Sequence, residues 1–338
     1  MNLRVISFGM VFAILSAFGF SLTAQAQADI GYRVSAPVTH KNLQVFLIHG
    51  KNELTNENIL TLQEAMEQKI LTVFETSDVN ELLVQNKSSK YEVFIQSGDI
   101  VKGGKQDRVL SVDIIIPARS GKISIEAFCV ESGRWQQRKS ENVGQFSSSS
   151  ERIVSRDLKL AANKSRSQSD VWKEVEKTQD KLSSNVGGSV NSNESRTSLQ
   201  LSLENKQVAA TTDEFVKKLA GIINGKSDVI GYAFVINGKI NSADVYASNF
   251  LFKKLWLKLL KATAVEAVSE LNEARTARVV KVSDIKAFLD GADRAKSEER
   301  TVTDRVKAVT REDSENVVFE SRDDKMKVTL HKSYVRKQ

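Results

Sequence analysis

Residues 229–271 read VIGYAFVINGKINSADVYASNFLFKKLWLKLLKATAVEAVSEL, and their punctuation decides the fold class. Val229–Ile236 is an unbroken apolar run rich in β-branched and aromatic residues, the composition of a strand. Asn237-Gly238 follows it directly. That pair tolerates the two left-handed positions of a two-residue hairpin turn, so Lys239–Tyr246 is predicted to return alongside. Ser248 or Asn249 then caps a helix that runs to about Leu271. Strands joined by so tight a turn are antiparallel, and a helix straight after them covers their apolar face. The predicted class is α+β: a mixed, mostly antiparallel sheet with covering helices in a single main domain. The helix is apolar almost all round. Lys254, Lys258 and Lys261 lie on one stripe, which is read as a solvated edge of a core helix rather than a membrane-surface face.

Working outward towards the N-terminus, Thr211-x-x-Glu214 matches a capping box before Phe215, Val216, Leu219, Ile222 and Ile223, an amphipathic helix. A second helix is predicted over Asp170–Leu182, capped by Ser169 or Asp170, with a polar loop at 183–198 between the two. Strands are expected at Asn42–His49, Leu71–Glu75, Tyr91–Gln96, Val109–Ile116 and Ile123–Val130, the last two joined as a hairpin through Pro117–Gly121. Asn56 or Thr61 caps a helix through Lys69 with Ile59, Leu60, Leu62 and Met66 as its apolar members. Asn80–Val84 reads as one or two helical turns, and Arg152–Asn163 gives a strand-like or mixed signal. In the other direction, the chain is highly charged from Asn272 to Asp313 and closes on a predicted hairpin, Asn316–Ser321 with Met326–Val335.

The chain begins with an early Arg4, an apolar run from Val5 to Leu22 and the small-residue exit AQAQA at 24–28. That is the layout of a secretory signal peptide spanning residues 1–28, and it places the mature chain outside the cytoplasm, in a bacterial periplasm. No membrane association is expected after its removal. One cysteine, Cys129, leaves no internal disulfide framework. The formal net charge is +7, with both signs interspersed and no block of like charge, so nucleic acid is not an expected partner.

Chemistry concentrates in Gly98–Trp135, GDIVKGGKQDRVLSVDIIIPARSGKISIEAFCVESGRW. Gly98 and Gly104-Lys105 invite comparison with a nucleotide-binding P-loop, but five residues separate the glycines and Gln106 replaces the magnesium-binding hydroxyl. The glycines can still form a backbone nest for an anion beside Lys105 and Arg108. Cys129 precedes Arg134 by one residue too few for a cysteine-phosphatase loop, with Trp135 at the required place. His40, His49 and His331 show no metal-ligand spacing, and no cofactor is expected. The candidate ligand-binding residues are Lys105, Gln106, Arg108, Glu131 and Arg134, which converge if their strands are neighbours. A purely structural arrangement, such as a buried Arg108–Glu131 pair, is the competing reading.

GGKQDRVLSVDIIIP, FCVESGRW, VWKEVEK and VIGYAFVINGKINSADVYASNFLFKKLW (229–256) together resemble one family: the domain called ARG and rhodanese-phosphatase superfamily-associated protein, where ARG is ADP-ribosylglycohydrolase. The resemblance runs from about Val45 to Leu271, and the family domain is placed at 29–272 with a charged C-terminal region at 273–338. It implies an α+β domain and a link to phosphorylated or ADP-ribose-type ligands, though a signal peptide sets this chain apart from cytosolic members. Two functions are therefore carried forward. The first is an exported, non-enzymatic binding or interaction module that takes a small anionic ligand or a protein partner. The second is a hydrolase acting on a phosphate-bearing or ADP-ribose-like ligand.

Overall fold

A period of two sets the largest sheet. Along Leu43–His49, Leu43, Val45 and Leu47 pack into one core cluster while Phe46 and Ile48 pack into another. Val229–Ile236 behaves likewise, with Tyr232 and Phe234 on the first side and Ala233 and Val235 on the second. Both faces of this sheet are thus buried, which is why these strands read as continuous apolar runs. In the computed structural model, which describes residues 31–153, 155–271 and 279–337, the sheet has nine strands. Its order is Arg33–Val34, Leu43–His49, Val229–Ile236, Lys239–Tyr246, Val328–Arg336, Asn316–Asp323, Val306–Glu312 and Lys296–Thr301, with Val38–His40 also paired to Leu43–His49. Every pairing in it is antiparallel. The expected 229–246 and C-terminal hairpins are both present. The region expected to follow the family domain at 273–338 supplies four strands of this same sheet. The last of them, KSEERT at Lys296–Thr301, is exposed throughout, and its charges discourage edge-to-edge pairing. The signal-peptide reading of residues 1–28 and the start of the charged region at 272–278 lie outside the described residues.

Gly231 marks the register shift where Val229–Ile236 crosses its neighbours. A Cβ there would sit 2.2 Å from the Asp244 carbonyl oxygen, so only glycine admits this close approach of backbones.

The helix Asn249–Ser269, capped by Ser248, lies on one face and buries Leu251, Phe252, Leu255, Trp256 and Leu259 against Tyr232 and Phe234. Each such side chain contributes roughly 2 kcal/mol by leaving water. Helices Gln168–Val186 and Lys206–Leu219 pack behind it, and Val282–Asp293 covers the opposite face through Ile285, Phe288 and Leu289. No helix of the described residues is long and apolar enough to cross a membrane. The lysine stripe is not solvated. Lys254 pairs with Glu64 at 2.8 Å, Lys258 with Asp99 at 2.8 Å, and Lys261 with Glu151. This face meets a second sheet unit that supplies Asp99 and Glu151, and the helix Leu62–Glu67 that supplies Glu64.

That unit is a six-stranded antiparallel sheet, in the order Phe146–Arg152, Asp99–Gly103, Arg108–Leu110, Ile123–Cys129, Glu81–Asn86 and Leu71–Glu75. Beside it lies a three-stranded sheet of Ile114–Ile116, Glu92–Ile95 and Ile59–Thr61, the last pair parallel. Several local expectations give way here. Residues 81–86 form a strand, because alternate burial of Leu82 and Val84 and pairing on both sides outweigh weak helical propensity. Ile59 and Leu60 are strand residues, and the helix is Leu62–Glu67, capped by a Thr61–Glu64 capping box. The hairpin expected through Pro117–Gly121 is absent. A bend at Ser111–Asp113 splits the expected strand, sending Ile114–Ile116 to the small sheet while Ile123–Cys129 stays in the large one. Residues 156–160 are helical and continue as a π-helix, Ala161–Ser165. Ser167 caps the helix expected from Asp170, and that helix runs on to Val186, into the region expected to be loop. Asn205, not Thr211, caps the next one, and the Thr211 hydroxyl instead donates to the Gln207 carbonyl one turn back.

Candidate functional site

Two adjacent glycines shape the central stretch. Gly103 and Gly104 have φ of +115° and +55°, and a Cβ on Gly104 would lie 2.4 Å from the Phe146 ring. The turn they make is closed by Asp107, whose Oδ1 accepts the Gly103 N–H at 2.9 Å. Arg108 then starts a strand directly opposite Cys129. Gly133, at φ +79°, reverses the chain after Glu131 and carries Arg134 back over the turn.

Arg134 grips Glu131 with two parallel bonds, Nε to Oε1 at 2.7 Å and Nη2 to Oε2 at 2.6 Å. Its Nη1 also donates to the carbonyls of Gly104 and Gln136 at 3.2 and 2.7 Å. Arg138 makes the same fork on Asp107, 2.9 Å on each side, and the Ser198 hydroxyl donates to Asp107 Oδ2 at 2.8 Å. The Gln106 amide donates to the Glu131 carbonyl at 2.7 Å. Arg108, fully buried, donates to the Gln106 carbonyl at 2.9 Å and lies 3.6 Å from Glu75. Three guanidinium groups thus face four carboxylates, those of Glu75, Asp107, Glu131 and the partly exposed Glu141, which accepts Arg138 Nη2 at 2.9 Å.

Of the five residues drawn from the sequence, Gln106, Glu131 and Arg134 therefore touch, Arg108 adjoins them, and Lys105 stands outside. The Lys105 ammonium donates to the Ser77 hydroxyl at 2.9 Å and lies 5.0 Å from the Trp135 ring centroid. The Arg108–Glu131 pair considered from sequence is not formed, since Arg108 turns to Glu75 and Glu131 is held by Arg134. Asp107, Arg138, Glu75 and Ser198 complete the cluster. Asp107 was legible beside Arg108, whereas Ser198 joins from a loop about ninety residues away.

Cys129 is buried, and burial pushes its thiol up to about 11 against the opposing pull of Arg108, with Glu75 and Glu131 adding to the rise. At neutral pH it is a thiol and not a nucleophilic thiolate. What the cluster shows to solvent is Trp135, 44% exposed, beside a shallow groove of about 430 Å³ lined by Gln136, Arg138, Lys139 and Arg196.

A second buried polar centre was not legible in the sequence. His331 Nδ1 is 2.8 Å from Asp113 Oδ2 and its Nε2 is 3.1 Å from Asp244 Oδ1. Tyr246 stacks on the imidazole at a centroid distance of 4.5 Å. Burial works against the imidazolium, but the two carboxylates prevail and raise His331 to about 9. It is therefore charged at neutral pH and donates from both nitrogens. Asp113 also accepts the Ser97 N–H at 2.7 Å and the Ser321 hydroxyl at 3.1 Å. The two carboxylates hold opposite ring nitrogens and do not converge on one point. Among the described residues, no group of His, Cys, Asp and Glu is arranged to hold a metal ion.

Compared with curated proteins and with solved structures, the chain has no significant match. A family model does match, over residues 31–335, so it spans both sheet units and includes the C-terminal strands. On that match, the chain belongs to the family described as the ARG and Rhodanese-Phosphatase-superfamily-associated Protein domain.

Proposed function

We propose that this chain is an exported, non-catalytic binding module whose recognition surface is the loop around Trp135. The observation that carries this reading is the way the loop is held. Arg134 and Arg138, on either side of Trp135, are each forked onto a buried carboxylate, so the backbone between them is anchored at both ends. The indole is left 44% exposed on that rigid base. A fixed, half-exposed tryptophan ringed by polar side chains is the usual anchor of a protein interface. Lys105 beside the ring and Arg196 on the adjoining groove favour a partner with acidic groups at its rim, while Lys139 there is already paired with Glu194. Over a hydrolase, the binding reading is supported by the engagement of Arg134 with Glu131 and of Arg138 with Asp107, and by the neutral thiol of Cys129.

The test places a photo-crosslinking amino acid at Gln137, in the host's exported fraction, with a second probe at the remote exposed Leu257. The expected result is a discrete protein adduct at Gln137 that is absent at Leu257 and lost in Trp135→Ala. The same purified protein is titrated with ADP-ribose and inorganic phosphate while tryptophan fluorescence is read. An indole response to either anion, without an adduct, would replace the protein partner by a small anionic ligand. Neither an adduct nor a response would refute the surface.

A further inference from the structure

A cleft of about 410 Å³ opens beside the His331 centre, within the size range of small-molecule sites and away from Trp135. It lies between strands Val306–Glu312 and Asn316–Asp323 on one side and the Ala161–Ser165 π-helix on the other. π-helical turns are rare and recur at functional sites, because the extra residue re-aims side chains. Here the π-helix contributes Asn163, whose amide oxygen accepts the Ser97 hydroxyl at 2.8 Å, and both residues line the cleft.

Three features define what the cleft can take. First, Ser111 lines it with a hydroxyl that is buried and makes no hydrogen bond, although a buried polar group normally finds a partner. Second, its cations are already matched: Lys164 pairs with Glu312, and both Arg166 and Arg300 with Glu126, while among the described residues Glu298 has no ion pair. An anionic ligand would have to break one of these pairs, whereas a neutral hydroxyl can donate to a carboxylate and accept from a paired cation. Third, Phe319 presents a half-buried aromatic ring among these polar groups. One face of a pyranose carries only C–H groups and packs on such a ring, while its hydroxyls reach the groups around it.

We infer that this cleft is a second binding site, independent of the Trp135 surface, and that its ligand class is a neutral saccharide. Asp113 forms part of its wall and is fixed by His331, Ser321 and the Ser97 amide, so the polar floor is set before any ligand enters.

The test is saturation-transfer NMR on the purified 29–338 chain with glucose, galactose, N-acetylglucosamine, maltose and cellobiose as probes. Inorganic phosphate and spermidine serve as the charged controls, read by their displacement of any bound sugar and by thermal shift. The inference expects transfer to ring C–H protons of at least one sugar. Affinity should fall about fivefold in Ser111→Ala, the ratio that goes with one lost hydrogen bond, with the melting temperature unchanged because that hydroxyl has no protein partner. Phe319→Ala should weaken binding further. A response to the monosaccharides identifies a free sugar as the source, and a response to the disaccharides alone identifies a glycan chain. No transfer to any sugar, transfer that both variants leave unchanged, or a thermal shift with phosphate or spermidine alone would each overturn it.

Discussion

Replacing Glu131 by Gln tests whether the central cluster holds the fold. The Glu131 carboxylate is fully buried and receives Arg134 Nε and Nη2 at 2.7 and 2.6 Å, the Asp107 N–H at 3.1 Å and Arg138 Nη1 at 3.5 Å. Glutamine keeps the shape and one acceptor, but it turns an NH₂ group towards guanidinium donors and strips Arg134 of its buried ion pair. Breaking a buried pair from one side costs about 3–5 kcal/mol. For a chain of this size each kcal/mol lowers the melting temperature by about 2–4 °C, so a fall of about 6–20 °C is expected. Thermal denaturation followed by two independent probes measures it. The double variant Glu131→Leu/Arg134→Leu removes both charges and should recover much of the loss, because the remaining groups, Asp107 with Arg138 and Glu75 with Arg108, stay balanced. A Glu131→Gln protein melting within about 2 °C of wild type, or a double variant as damaged as the sum of its singles, would refute the reasoning.

Three further outcomes follow from other buried groups. The His331 charge contributes stability that is fully present below the unfolded imidazole value of 6.5 and is lost as pH rises through about 9. Urea unfolding of wild type between pH 6 and 10 should show a decline on the order of 3 kcal/mol that His331→Gln lacks. Asp113 acts at the other end. Burial raises it, but His331 and the hydrogen bonds from Ser97 and Ser321 bring it below the ordinary carboxylate range, so its contribution is lost as pH falls below about 4. Cys129 should be inert to iodoacetamide in the native protein at pH 8 and react at once in urea, since both burial and a thiol held at about 11 protect it. Rapid native labelling would show that the site opens readily.

The sequence by itself determined what depends on neighbours along the chain. Asn237-Gly238 requires a tight turn, Ser248 satisfies the first amides of a helix, and the apolar run in Asn42–His49 marks a strand, so the antiparallel hairpin and its long helix were legible in advance. The motifs around Gly103–Asp107 and Cys129–Trp135 likewise identified the family. Where local signals were weak, tertiary pairing decided instead. Residues 81–86 became a strand only because partners lay on both sides, and Val109–Ile116 divided because Asp113 is drawn to Ser97, Ser321 and His331. The tertiary structure alone also decided how charges are used. Lysines 254, 258 and 261 look like a solvated edge until the second sheet unit sets Asp99 and Glu151, and the helix Leu62–Glu67 sets Glu64, against them. Glu131 looks like a partner for Arg108 until Gly133 swings Arg134 into its place. The physical reason is one of range. Turn and cap preferences are settled by a few adjacent dihedral angles and hydrogen bonds. A buried charge is settled by whichever opposite charge the folded chain brings within about 4 Å, and sequence distance carries no record of that.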